Sequence, residues 1–212
     1  MDATSWSYAD HELHPDPAHQ PLYLAKMLAY LRADPTIHRI VDVGCGDGNF
    51  AASLAEAGYQ MYGLELSDSG LRVAEQRGIG QFKHGSAYDE LASHFLDVDQ
   101  FDAVIAVEVI EHLYSPRVFV DRAMQALRPG GLLIVTCPYW GYLKNLALAV
   151  TGRIDRNHTA LWDGGHIKHW SRGTLTELVR ERGLQEMGFE GVGRVPYLWK
   201  GMMLISRKPT SS

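Results

Sequence analysis

The stretch Val41-Asp42-Val43-Gly44-Cys45-Gly46-Asp47-Gly48-Asn49-Phe50 constrains this chain more than any other. A short β-branched run, Arg39 to Val43, meets glycine at every second position, and a helix-compatible run from Asn49 to Glu56 follows. Glycines so spaced let the backbone turn tightly and approach a ligand with no Cβ in the way. The helix start beyond them offers free N–H groups. The same rhythm then repeats. Tyr59 to Leu66 reads as a strand, Asp68 to Gln76 as a helix and Gln81 to His84 as a short strand. Phe101 to Val107 is apolar almost throughout, as a strand covered on both faces should be. Pro116 to Leu127 is an amphipathic helix ended by Arg128-Pro129-Gly130-Gly131, and Leu132 to Cys137 is a second buried strand. Repeated strand–helix–strand units predict an α/β fold, a parallel sheet with helices on both faces.

The ends of the chain depart from this rhythm. Apolar residues at helical spacing from Pro21 to Ala33 predict a helix that Asp34-Pro35 stops. Pro138 to Trp170 carries one apolar helix, Tyr142 to Val150, and then a polar loop rich in aromatics and histidines. Thr174 to Arg182 reads as a helix, and Glu186 to Arg194 with Trp199 to Arg207 as an antiparallel hairpin. A length of 212 residues suits one domain. Within it, residues 1–36 form an N-terminal cap segment and helix, 37–137 a ligand-binding core, 138–170 a lid over the acceptor side, and 171–208 the last helix and closing hairpin.

Composition narrows the function. The net charge of −5 has the wrong sign for a basic nucleic-acid binder, so no nucleic-acid partner is expected. Cys45 and Cys137 lack CxxC spacing and read as reduced thiols of a cytoplasmic protein. The first residues have acids and histidines where a signal peptide needs basic and apolar regions. The apolar run Leu143 to Val150 falls far short of the ~20 residues of a membrane span. A monomer or homodimer acting on a small molecule is the expectation.

The glycine loop departs from the dinucleotide fingerprint, because position 49 is Asn where GxGxxG wants Gly, and it has no lysine for a phosphate loop. Taken alone, it is also compatible with a plain tight connection. Two acids sharpen it. Asp42, inside the strand, would repel a pyrophosphate but suits an ammonium. Glu65 ends the second strand, seventeen residues after Gly48, where a carboxylate binds both hydroxyls of a ribose. The ligand so described has adenosine at one end and an amino acid at the other.

Together with Gly63-Leu64-Glu65-Leu66-Ser67, the run Phe101 to Leu113 (FDAVIAVEVIEHL) and the run Leu127 to Val135 (LRPGGLLIV), this loop resembles the class I S-adenosylmethionine-dependent methyltransferases. The likeness is to the subgroup that includes ubiquinone-biosynthesis O-methyltransferases, and it covers about residues 37 to 137 and the hairpin. It implies a seven-stranded, mostly parallel Rossmann-like sheet in the order 3-2-1-4-5-7-6 with the last strand antiparallel. It implies S-adenosyl-L-methionine as cofactor and S-adenosyl-L-homocysteine as product. Asp42, Gly44 and Gly46 would line the methionine moiety, with Cys45 and Gly48 in the same loop. Glu65 would hold the ribose and Leu66 flank the adenine. Ser86 and Ala87 stand where relatives often carry an acid for the adenine amino group. Val107 would border the pocket, and Tyr8 would fold over it from the N-terminal piece.

Methyl transfer from a sulfonium needs an aligned nucleophile, exclusion of water and a place for the proton. Candidates lie at the ends of the fourth and fifth strands. In a helical turn Glu108, Glu111 and His112 share one face. A divalent-metal triad, as in some relatives that activate a hydroxyl, is one reading of them, with magnesium or manganese preferred. The other has Glu108 bordering the pocket and Glu111 and His112 capping the turn, and no metal ligand is assigned. His166, in Asp163 to Ser171, is a candidate base or a loop anchor. The catalytic candidates are thus His166, His112 and Glu108, with His158 and His169 behind them. The helix Leu143 to Val150 reads as core-facing; a lipid-like acceptor or transient membrane contact is the other reading, given Lys144 and Arg153. The expected reaction is methylation of a small-molecule hydroxyl, on a sugar, a quinol-like phenol or a lipid-linked intermediate. The alternatives are metal-dependent 2′-O-methylation of an RNA end and a non-catalytic cofactor-binding regulator.

Overall fold

Strands β4 (Phe101–Val107) and β5 (Leu127–Pro138) form the middle of a sheet buried on both sides in a computed structural model that describes residues 20–158, 161–162 and 164–210. Tyr8 and the expected N-terminal cap lie outside the described residues. In chain order the elements are α1 (Gln20–Arg32), β1 (Arg39–Val43), α2 (Asn49–Glu56), β2 (Gln60–Glu65), α3 (Asp68–Gln76), β3 (Gly80–His84), β4, α4 (Pro116–Ala126), β5, α5 (Tyr142–Val150), α6 (Ile154–His158), α7 (Arg172–Glu181), β6 (Gln185–Val192) and β7 (Gly201–Arg207). The sheet order is β3-β2-β1-β4-β5-β7-β6. The first five strands are parallel, and β7 runs antiparallel to β5 and β6. This is the seven-stranded topology that the sequence resemblance implies.

Alternation along each central strand feeds two apolar layers. Val41, Val104 and Leu204 pack into one, and Ile40, Ile105 and Met203 into the other. The lower end of the sheet is closed by Tyr62, Phe95 and Phe101, whose rings meet edge to face at 5.0 to 5.9 Å. Beside them the buried Asp102 carboxylate accepts from the amides of His38 (3.0 Å) and Arg39 (2.8 Å) and from Arg128 Nε (2.6 Å). Burial pushes Asp102 up, but these donors more than offset it and hold the carboxyl below its ordinary value.

Arg128 also explains a boundary. The sequence reads Arg128 to Gly131 as a helix stop before a strand, whereas the chain enters β5 directly at Leu127. Arg128 is drawn in by Asp102 and Thr36 Oγ1, and a register shift between Phe101 and Ala103 absorbs the irregularity. The closing strands are shorter than their apolar pattern suggests, so the β6–β7 loop spans residues 193–200.

Candidate active site

Every acid that the sequence singles out lies at the carboxyl end of the parallel strands, where open α/β sheets bind ligands. Gly44, Gly46 and Gly48 all have positive φ, 74°, 56° and 73°. The amides of Gly44 and Cys45 donate to Leu64 O at 2.8 and 3.1 Å, so the loop is stitched across the top of β2. A Cβ on Gly44 would stand 2.6 Å from Val109 Cγ2. The glycine therefore lets the loop pass beneath the segment that leaves β4.

Glu65 is fixed by two amides, Gly46 N on Oε2 and Ser67 N on Oε1, both at 2.8 Å. Each oxygen keeps a lone pair for a further donor. Asp42 is 1% exposed, and its Oδ1 has no partner among the described residues. Burial, then the charge of Glu65, pushes the Asp42 carboxyl up to about 7. Leu66 presents a shelf beside them, 61% exposed. Cys45 belongs to the loop only through its backbone. Its Sγ packs toward Gly63 in the core, and burial pushes the thiol up. The Ser86 hydroxyl accepts from Tyr88 N and the Ser86 amide donates to Asp89, so this side chain shapes its own turn. Ala87 is buried in the core, and Val107 is partly buried at the end of β4.

After β4 the chain does not form the helical turn that would align Glu108, Glu111 and His112. Glu108 has φ 56°, a left-handed conformation uncommon outside glycine, and only Ile110–His112 makes a single 3-10 turn. The Glu108 carboxylate accepts from Tyr23 Oη (3.1 Å) and Thr136 Oγ1 (3.2 Å). Burial pushes it up to about 7, against the pull of those two donors and of the Lys144 charge. Of the two readings, the triad that includes Glu108 is therefore not formed. The group whose ligand atoms converge, all within 4.8 Å of one another, is Glu111, His112 and His166.

Glu111 is 1% exposed, and neither carboxylate oxygen has a partner among the described residues. Its Oε1 lies 4.0 Å from His112 Nε2 and 3.9 Å from His166 Nε2. Burial and then Glu108 push this carboxyl well up. His112 Nδ1 lies 3.0 Å from Gly164 O. A carbonyl only accepts, so that contact assigns the proton to Nδ1 and leaves Nε2 with its lone pair toward Glu111. Burial lowers His112 below its ordinary value. His166 is lowered to about 4, by burial first and then by His112, His169 and Lys144. The loop is held in place by Ile167 N and Lys168 N, both donating to Glu111 O at 2.9 Å. His158 and His169 stack on each other beside Trp140, and neither is among the converging ligand groups.

Two participants escape the sequence reading. Tyr23, on α1, reaches Glu108 and fits only because residue 201 is Gly, whose missing side chain leaves room for its hydroxyl. Lys144 is buried beneath α5 and donates to Tyr139 O and Lys200 O. The core-facing reading of α5 holds only in part: Lys144 and Leu148 point inward, while Tyr142, Leu143, Leu146 and Val150 are exposed.

The methyltransferase-domain family matches residues 16–186. The chain belongs to the class I S-adenosylmethionine-dependent methyltransferases. Ubiquinone biosynthesis O-methyltransferase of Roseobacter denitrificans is 29% identical over 170 residues, 76% of this chain and 65% of that protein. The protein of the same description from Burkholderia pseudomallei is 30% identical over 164 residues, covering 74% and 69%. The chain thus spans about two thirds of the length of these curated relatives. Among solved structures, magnesium protoporphyrin IX methyltransferase of Synechocystis PCC 6803 with bound S-adenosylhomocysteine superposes with TM-score 0.68 at 17% identity, covering 95% of this chain and 90% of that one. The cyclase SpnF superposes with TM-score 0.67 at 19% identity, covering 89% and 81%. These likenesses show the fold, and a cyclase among them is a reminder that the fold does not fix the reaction.

The residues of this methyltransferase chain fit the family's cofactor. The unpartnered Asp42 Oδ1 suits an ammonium, the glycine loop admits a close backbone approach, Glu65 retains acceptor capacity for ribose hydroxyls, and Leu66 offers an apolar shelf for a base. They also fit a divalent cation: a buried carboxylate with no hydrogen-bond partner among the described residues lies about 4 Å from Nε2 of His112 and of His166, the kind of nitrogen that ligates metals.

Proposed function

We propose that the protein methylates a hydroxyl group of a small-molecule acceptor, using S-adenosyl-L-methionine and a divalent cation held by Glu111, His112 and His166. One observation carries this reading. The Glu111 carboxylate is buried, neither oxygen has a hydrogen-bond partner among the described residues, and two imidazole nitrogens lie about 4 Å away, an arrangement that is costly to keep unless a ligand completes it. When bound, the sulfonium supplies an activated methyl group, and the cation lowers the pKa of a coordinated hydroxyl.

The chain's own part is positioning and proton management. Asp42 holds the amino end of the donor and Glu65 its ribose, which fixes the direction of transfer. Burial keeps His112 and His166 neutral at pH 7, the form that ligates a cation or accepts a hydroxyl proton. Glu108, locked by Tyr23 and Thr136, walls the β4 side of the site. Residues 138–158 and 164–170 cover the acceptor side and exclude water, with Trp162 beside both imidazoles at 5.3 and 5.9 Å. Two nitrogens and one carboxylate shift the preference from magnesium toward a transition metal such as manganese or zinc.

The test is transfer of labelled methyl groups to a panel of catechol-, quinol- and sugar-type hydroxyl acceptors, with and without a strong chelator. Turnover should fall roughly 100-fold with chelator or in Glu111→Gln and return on adding manganese to the wild type. Turnover indifferent to both treatments would contradict the cation, and binding of S-adenosylhomocysteine without transfer to any acceptor would favour the regulator reading.

A further inference from the structure

The glycine loop is clamped from a second side, away from Glu65. Asp47 is the only charged residue between Gly44 and Asn49, and it stands between Gly46 and Gly48, both left-handed. Arg77, at the C-terminal cap of α3, reaches back thirty residues to it. Its Nε donates to Asp47 O at 2.7 Å and its Nη2 to Asp47 Oδ2 at 3.2 Å. The other carboxylate oxygen accepts from Asn49 N, the first residue of α2, at 3.0 Å. The stem of Arg77 lies along the loop as well: its Cδ is 3.4 Å from where a Cβ of Gly48 would stand. One planar side chain thus grips both the backbone and the charge of a residue in the middle of the loop.

An exposed ion pair ordinarily contributes little to stability, and these two side chains are 31% and 35% exposed. Its position gives this pair another use. Asp42, whose unpartnered Oδ1 suits the donor's ammonium, lies at the start of the same loop. The donor's carboxylate is bonded to the same carbon as that ammonium, so it must lie close by. An uncompensated Asp47 charge in the loop would oppose it, and the Arg77 guanidinium cancels that charge. The guanidinium also restrains a segment whose alternate glycines would otherwise sample many conformations, so the loop is ordered before the ligand arrives. The adenosine end is held by other contacts. Ser67 N donates to Glu65 Oε1 at 2.8 Å, and His84 Nε2 lies 3.0 Å from Leu66 O.

We propose that Arg77 is a positioning residue for the amino-acid end of S-adenosylmethionine, acting through Asp47 to order the glycine loop and to cancel its charge. This rests on the family's cofactor and on neither the acceptor nor the cation, so it stands or falls separately from the reaction proposed above.

The experiment is calorimetric titration of the full chain with two ligands, S-adenosylhomocysteine and 5′-methylthioadenosine, which keeps the adenosine and the sulfur but lacks the amino-acid end. Arg77→Met should bind S-adenosylhomocysteine roughly tenfold more weakly and 5′-methylthioadenosine within about twofold of wild type. Its melting temperature should stay within about 2 °C, as for other exposed pairs. Arg77→Lys keeps the charge without the fork and should fall between wild type and Arg77→Met. Adding Asp47→Asn to Arg77→Met should recover part of the lost affinity, because no uncompensated charge remains. Wild-type affinity for S-adenosylhomocysteine in Arg77→Met would overturn the proposal. So would an equal loss for both ligands, which would make Arg77 a tie between α3 and the loop and nothing more.

Discussion

The two ends of the sheet treat buried carboxylates in opposite ways. At the lower end Asp102 is saturated by two amides and Arg128, and its carboxyl sits below the ordinary value. At the upper end Asp42 and Glu111 are at least as buried, yet Asp42 Oδ1 and both Glu111 oxygens have no hydrogen-bond partner among the described residues, and both carboxyls are raised. Evolution of a stable scaffold alone would not retain the second kind. The lower acid ties β1, β4 and β5 together; the upper acids are left open for something that the chain does not itself supply.

Substitutions should therefore split by end. Asp102→Ala strands the Arg128 charge and two amides, and the expected loss is about 3 to 5 kcal/mol in denaturant unfolding, with affinity for S-adenosylhomocysteine within about threefold of wild type. Glu111→Gln in the metal-free protein should stay within about 1 kcal/mol, since its side chain makes no hydrogen bond among the described residues that the variant would lose. Equal losses in the two variants would break the contrast.

Asp42 sharpens it through pH. Its folded carboxyl is raised from 3.8 to about 7, so its contribution to stability is complete below about pH 4 and is lost as pH rises toward 7. Relative to Asp42→Asn, the ligand-free wild type should lose on the order of a few kcal/mol across that window and then level off. Parallel stability curves for the two proteins would contradict it. Gly44→Ala should cost less than Asp102→Ala, about 1 to 2 kcal/mol in denaturant unfolding, because a Cβ at φ 74° must also displace Val109.

The contrast also explains what the sequence made legible. β4 and β5 could be read from continuous apolar runs, and the glycine loop from residues adjacent in the chain, because both signals are local. The role of Arg128 at the start of β5 was hidden, since its partner Asp102 is 26 residues away. The Glu111–His112–His166 cluster was hidden for a related reason. Helical spacing points to Glu108, but a left-handed residue at 108 and a 3-10 turn redirect that side chain to Tyr23, and a loop more than fifty residues on delivers the histidine instead. Hydropathy identified α5 as a helix but not which side it buries; a lysine amid leucines was the one clue, and only the carbonyls of Tyr139 and Lys200 show that it points inward.

The most direct measurement is calorimetric titration with S-adenosylhomocysteine at pH 7 in two buffers of different ionisation enthalpy, on wild type and Asp42→Asn. An open, half-protonated Asp42 that meets the ligand's ammonium should release about half a proton on binding, and the variant should bind more weakly and release none. No heat with S-adenosylhomocysteine while NADH or ATP binds tightly would contradict the account, as would binding by the variant with wild-type affinity and proton release.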